Sequence, residues 1–253
     1  MFLVLAAVVG TPFSYQGTLA PGRSLSVRDV NGSIVVRAGS GLTIHATKRA
    51  NRGDPNAVTV RVDPTASGLA TCVRYAENAQ RRCDENVSEQ TNHDNDTRVD
   101  FDITLPAGVI LDAATVNGSI KARTEGPIDA ASVNGSITTE GSDIRSVRTV
   151  NGSIRARVLG GSRDPLVART VNGSVEIALP SGSGAEISAR TLTGGITVPG
   201  ITVNRPRFGV GASAEGRIGD GSRRISLETV NGSITVRRDG DRSPRRQASE
   251  DGS

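Results

Sequence analysis

Aromatic residues are nearly missing from this 253-residue chain, which has no Trp, two Tyr and four Phe. A wide core anchored on rings is therefore excluded, and so are the stacking platforms on which single-stranded nucleic acid is held. Hydrophobic residues make up only 36%, which leaves room for a narrow core of Ile, Val, Leu and Ala. Histidine is as scarce, and His45 and His93 alone cannot build a His-rich metal centre. The N-terminal apolar run is too short to span a membrane as a helix, no later segment could span one, and none reads as a convincing amphipathic helix. Ala70 to Arg82 is the best helical candidate. Charge of one sign is also lacking: 30 basic residues face 26 acidic ones, a net +4. That is too balanced for disorder throughout and too modest for a nucleic-acid partner. Neither a Gly-Gly-x-Gly-x-Asp calcium repeat nor a nucleophile motif around any Ser or Cys occurs. No metal, cofactor or catalytic residue is expected.

The chain opens on the apolar run Met1 to Gly10, ended by Thr11-Pro12. This resembles the apolar region of a secretory signal, although no basic residue precedes Arg23. Residues 1–14 are expected to be a signal segment, which would place the protein outside the cytoplasm, in the periplasm or on the cell surface. In that compartment Cys72 and Cys83, eleven positions apart, read as one local disulfide. A weak metal site with the nearby His93 is the lesser alternative.

The strongest signal is a repeat. Val-Asn-Gly-Ser followed by Ile or Val occurs six times: Val30–Ile34, Val116–Ile120, Val133–Ile137, Val150–Ile154, Val171–Val175 and Val230–Ile234. A degenerate copy runs Leu192-Thr193-Gly194-Gly195-Ile196, and from Asn117 onward the spacings are 17, 17, 21, 21 and 38 residues. Such periods indicate stacked turns, with the last gap fitting two turns and one lost motif. Alternation on both sides of each motif is that of strands. Leu25, Leu111, Ile128, Leu166, Ile187 and Ile225 fall five places ahead of the motif, and Val27, Ala113, Ala130, Val147, Ala168, Ala189 and Leu227 three places ahead. Stacked about 4.8 Å apart, these columns would make a thin continuous core.

Asn31, Asn117, Asn134, Asn151, Asn172 and Asn231 are expected at the corners, where Asn-Gly tolerates positive φ and the amides can bond from turn to turn. The competing reading, six glycosylation sequons, does not explain their periodic placement. The expected fold is all-β: a single-stranded β-solenoid, parallel β-helix-like, over residues 15–238, with a less regular N-terminal β cap. An irregular insertion is expected over 63–97 and a disordered tail over 239–253.

Two outward columns carry candidate function. Arg28, Arg148, Arg169 and Arg190 lie two places ahead of the motif, with Arg155 and Arg157 beyond the corner. Guanidinium forks at strand spacing suit carboxylates or phosphates on an anionic envelope polymer, or an envelope protein; the plain alternative is a solvated sheet face. One place ahead lie Thr115, Thr149, Thr170, Thr191 and Thr229, an array that an ice-binding face would need, but with Arg neighbours and unequal turns that spoil it. A polysaccharide-degrading enzyme is the runner-up. Its required carboxylate pair is sought among Asp94, Asp96, Asp100 and Asp102, since Asp and Glu do not otherwise recur in one column.

With these residues in view, the chain resembles the bacterial putative-adhesin domain-of-unknown-function family with β-strand repeats. These are also called toastrack domains and are related to the head domain of putative auto-transporter adhesins. The resemblance rests on Leu25 to Val36 around the first motif, Leu105-Pro106-Ala107-Gly108, the train of Asn-Gly turns, Ala178-Leu179-Pro180, and Leu227-Glu228-Thr229-Val230-Asn231-Gly232. It covers roughly residues 20–238, and the loop with Cys72 and Cys83 departs from it. It implies a β-solenoid of the cell envelope, associated in some relatives with adhesion or envelope stress, and no established activity.

Overall fold

The computed structural model describes residues 8–84, 96–160, 162–206 and 210–239. Among them the regular elements are strands and two short 3-10 turns, Pro55–Ala57 and Ala76–Asn78. The N-terminal part supplies β1 (Val8–Val9), β2 (Phe13–Gly17), β3 (Ser24–Arg28), β4 (Ile34–Gly39), β5 (Leu42–Ala50), β6 (Val58–Pro64), β7 (Gly68–Tyr75) and β8 (Arg98–Pro106). The regular repeat supplies β9 (Ile110–Asn117), β10 (Ile120–Arg123), β11 (Ile128–Asn134), β12 (Ile137–Gly141), β13 (Ile144–Asn151), β14 (Ile154–Val158), β15 (Leu166–Asn172) and β16 (Val175–Leu179). The C-terminal part adds β17 (Ala185–Thr193), β18 (Ile196–Thr197), β19 (Val203–Asn204), β20 (Ala212–Ile218), β21 (Arg223–Asn231) and β22 (Ile234–Arg238).

These strands form two parallel-rich sheets. The first runs β1-β5-β8-β4-β10-β12-β14-β16-β22-β18, with β2 also on β5; the second runs β19-β20-β17-β21-β15-β13-β11-β9-β3-β7-β6. From β9 to β16 each motif carries the chain from the second sheet to the first, and each return lands one strand further along, in parallel register. Inward columns of both sheets meet in one core. Ile34, Ile120, Ile137, Ile154, Val175, Ile234 and Ile196 come from the first, and Leu25, Leu111, Ile128, Ile144, Leu166, Ile225 and Ile187 from the second. Each such side chain stabilises the fold by about 1.5–3 kcal/mol relative to exposure. Phe101 is the one phenylalanine fully buried among the described residues, so the core is as thin as the composition requires.

Two expectations need correction. Turns do not stack in chain order. At the start, β3 and β4 sit between β7/β8 and β9/β10; at the end, β21 and β22 sit between β15/β16 and β17/β18. The 38-residue gap is therefore not two successive turns with a lost motif. After β18 the chain runs β19 and then β20 antiparallel along the outer edge of β17, and returns to place β21 on the inner edge. Secondly, the irregular stretch expected over 63–97 contains β7, a strand buried over most of its length. The helical candidate Ala70 to Arg82 is thus strand as far as Tyr75. The end of the expected signal segment, residue 14, lies within β2, where Phe13 and Ser14 pair with Ala46 and His45. Residues 1–7 and 240–253 lie outside the described residues, as do His93 and Asp94.

Cys72 and Cys83 form a disulfide with a Cα–Cα distance of 5.5 Å. It fastens the segment after β7 to that strand, and the Cys83 amide donates to the Asp63 carboxylate at 2.9 Å.

Candidate functional site

At four of the six corners it is close approach, and not left-handed backbone, that calls for glycine. Among the described residues no non-Gly residue has positive φ; of the six motif glycines Gly32 and Gly232 do, whereas Gly118, Gly135, Gly152 and Gly173 do not. Instead, a Cβ on any of these four would collide with the glycine carbonyl of the neighbouring turn. The expectation that Asn-Gly serves by tolerating φ > 0 is therefore corrected at these four corners, while Gly32 and Gly232 do have positive φ. The Asn amides do bond from turn to turn: each Nδ2 donates to the preceding Oδ1, from Asn231 through Asn172, Asn151, Asn134 and Asn117 to Asn31, at 2.8–2.9 Å. Asn31 Nδ2 passes the chain on to the Tyr75 hydroxyl at 3.3 Å. The degenerate Thr193 lies beyond Asn231, at the ladder's end.

Alternation through the corner decides what faces outward. Thr115, Thr149, Thr170, Thr191 and Thr229 are buried, and each hydroxyl donates to the glycine carbonyl of the adjacent turn at 2.8–3.3 Å. Ser132 does the same at 2.9 Å. The outward Thr column is thus an inward one, and no ice-binding array exists there. The motif's own first residue, one step on, must then point out. Val116, Val133, Val150, Val171, Val230 and Leu192 form an exposed aliphatic ladder, each 38–49% accessible. The parity of the repeat contained this signal, since a residue next to an inward Thr cannot itself be inward.

The candidate arginines separate into three places. Arg148, Arg169 and Arg190 share the outer face of the second sheet, on β13, β15 and β17, beside the aliphatic ladder. Glu228 of the intercalated β21 stands between Arg169 and Arg190 in the same row. Arg169 pairs with Glu228 at 3.0 Å and Arg190 with Glu215 at 2.8 Å, both in the open. Arg148 has no ion pair within 4 Å among the described residues. Arg28 is parted from that group by Ala114 and Ala131 and pairs with Asp112. Arg155 and Arg157 lie on the first sheet, where they pair with Glu176 at 3.2 Å and Asp239 at 3.3 Å. Glu176 also holds Arg237 at 2.6 Å, so that face is a charge-neutralised lattice.

Over Arg148, Arg169 and Arg190 the surface is concave. A groove of about 760 Å³ is floored by these arginines, Glu228, Val150, Val171, Val230 and Leu192. Its far wall is Asn204, Pro206 and Val210–Ser213, brought there by the antiparallel β19 and β20. The size is that of a small-molecule site.

Carboxylates elsewhere are used structurally. Asp100 accepts from the Ser33 amide and hydroxyl at 2.9 and 2.6 Å and from Arg98. Burial pushes its pKa up, but these bonds outweigh that and hold it below the ordinary range. Asp102 pairs with Arg37, and Asp96 accepts from the Asn51 and Arg52 amides. Against expectation two acids do share one column, Asp112 and Asp129 on β9 and β11. Half-burial pushes the Asp129 carboxyl up, helped by Asp112 and Asp143. Neither lines the groove.

No family model matches the chain, and no curated protein matches it. Several solved structures are similar. A "putative cell adhesion protein" from Clostridium sporogenes aligns over 90% of this chain and 100% of its own, with TM-score 0.46 and 11% identity. A "putative adhesin" from Bacteroides fragilis covers 90% and 97%, with TM-score 0.28 and 8% identity. A "putative adhesin" from Parabacteroides distasonis covers 90% and 98%, with TM-score 0.29 and 9% identity.

Proposed function

We propose that the protein is an exported, non-enzymatic binding module of a cell envelope, an adhesin-like β-solenoid that holds an anionic envelope component on one face of its second sheet. The observation that carries this reading is that Arg148, Arg169 and Arg190 line one groove, with Arg148 free of any ion pair among the described residues. Arg169 and Arg190 are held only by exposed ion pairs, which are worth about 0–1 kcal/mol and yield readily to a ligand. A disulfide between the chain's two cysteines supports export, because such bonds persist in oxidising compartments. The N-terminal apolar run is the export signal in this reading. The enzyme alternative would rest on Asp112 and Asp129; their absence from the groove lining and the pairing of Asp112 with Arg28 favour binding over hydrolysis.

Retention of the protein on immobilised anionic envelope polymers and anionic vesicles, measured at low and high salt, tests the proposal. Salt-sensitive retention is expected. Arg148→Gln with Arg169→Gln and Arg190→Gln should lower affinity at least tenfold, since each charge-assisted bond is worth about 1.5–3 kcal/mol. Arg155→Gln with Arg157→Gln should leave it unchanged. Equal losses in both variants, or no retention of the native protein, would show the reading to be wrong.

A further inference from the structure

The geometry points to a more specific occupant of this groove: a single-chain anionic amphiphile, its carboxylate or phosphate head on Arg148 and its aliphatic chain along Val150, Val171, Val230 and Leu192. This inference rests on the anion-binding reading and narrows it.

Four features of the groove select that chemistry. The first is the aliphatic floor, which runs perpendicular to the strands across β13, β15, β21 and β17, a span of three strand steps or about 14 Å. Its residues come from neighbouring register positions, so their methyl groups form a line and not a scattered patch. Soluble folds normally scatter exposed aliphatics, and a contiguous row beside charged residues marks a binding surface. The second is charge. The floor's polar margin holds three arginines against Glu228, and only Arg148, at the end where the row begins, has no ion pair among the described residues. A ligand with one anionic end and one apolar body fits that polarity. A polyanion laid along the row meets Glu228 between Arg169 and Arg190, so a single anionic head suits the groove better than a train of charges.

The third feature excludes an extended peptide that adds to a sheet edge. β13, β15, β21 and β17 are each hydrogen-bonded on both sides, so the floor offers no free backbone. The fourth is shape. The wall at Pro206 and Val210 makes the ladder one side of a trough here, whereas Val116 and Val133 continue the same ladder without lining it. A trough takes one chain; a flat ladder would merely rest on a membrane.

The experiment is calorimetric titration of the full chain with a series of alkyl carboxylates and dodecyl phosphate, all below their micellar concentrations. Affinity is expected to rise roughly three- to fourfold per added methylene, as burial of aliphatic surface requires. Val150→Thr with Val171→Thr and Val230→Thr keeps strand-forming shape and should abolish that chain-length dependence. Arg148→Gln should lower the affinity of dodecyl phosphate about tenfold or more. Should the triple variant melt early, Val171→Thr alone is titrated, with a reduced chain-length slope expected.

If a chain-free polyanion binds equally to the native protein and the valine variant, the amphiphile is excluded while the anion-binding reading stands. If no anion of either kind binds, both fail. Equal affinity for the uncharged dodecyl maltoside would overturn the head-group assignment. Binding to phosphatidylglycerol vesicles, with no uptake of monomeric amphiphile, would overturn the trough.

Discussion

Asp29 occupies the place one ahead of the first motif, where the other turns carry a Thr or Ser that donates to a glycine carbonyl. It is 5% exposed; its Oδ1 accepts from the Val30 amide at 2.8 Å, and Oδ2 has no hydrogen-bond partner. Burial foremost, then the charge of Asp100, outweighs that bond and Arg98, and pushes its pKa up to about 7 from an ordinary 3.8. The folded protein therefore keeps this proton over a range in which the unfolded chain has lost it. This contribution to stability is complete below the ordinary carboxylate pKa and is lost as pH rises towards 7. Asp29→Thr, which installs the residue of the other turns, should remove the dependence. Its stability relative to the native protein should rise by about 2–3 kcal/mol between pH 5 and pH 8. Denaturant unfolding at the two pH values checks this, and a constant difference would refute it.

At the scale of the element, the corner is a contact between backbones. Strands of adjacent turns must close to sheet distance while the chain swings from one sheet to the other, and only a residue without a Cβ fits against the next carbonyl. Gly135→Ala should cost about 3–5 kcal/mol, because the obstruction is backbone and cannot swing aside. Gly22→Ala makes a comparison without collision, as its added Cβ meets nothing within 4 Å, so only its positive φ opposes the change. Thermal or urea unfolding of the two variants separates crowding from conformation, and equal losses would refute the crowding account. A further device at this scale could not be read from spacing. Ile128 pairs with Ile144, but Asp129 pairs with Ser146, so Arg145 is the extra residue of a bulge. It restores Ile144 to the core column where strict counting would have placed Arg145, and sends Arg145 out to Asp143 and Asp164.

Across the whole molecule, the turns that carry the first and the last motif both lie inside the stack. The last motif lies between two earlier turns, and Arg223 fastens it there. Buried at 4% exposure, its guanidinium donates to the carbonyls of Asp164, Ser142 and Ile144 at 2.8, 3.3 and 2.6 Å. A stack in chain order would survive loss of its last turn as a shorter stack. Here, truncation after Ile218 removes an interior layer, strips β17 of its parallel neighbour and leaves β18 unpaired. The truncated chain should lose its cooperative melt and the groove with it. A cooperative melt in this variant would count against the described order.

What the sequence determined by itself was local and periodic. The inward columns follow from alternation, the thin core from the scarcity of aromatics, and the Asn ladder from a motif recurring at turn spacing. Outward Val116 and inward Thr115 were also legible, because parity carries through the corner. The binding face was not, because it depends on which turns become neighbours. Arg148, Arg169, Glu228 and Arg190 stand in one row only because β21 enters between β15 and β17, and the trough exists only because β19 and β20 turn back beside it. Pairing energy between strands is nearly the same for any turn that presents the same motif, so spacing cannot rank the possible orders. The tertiary structure decides by filling both edges of β17 and by seating Arg223 among three carbonyls, contacts between segments that no local pattern records.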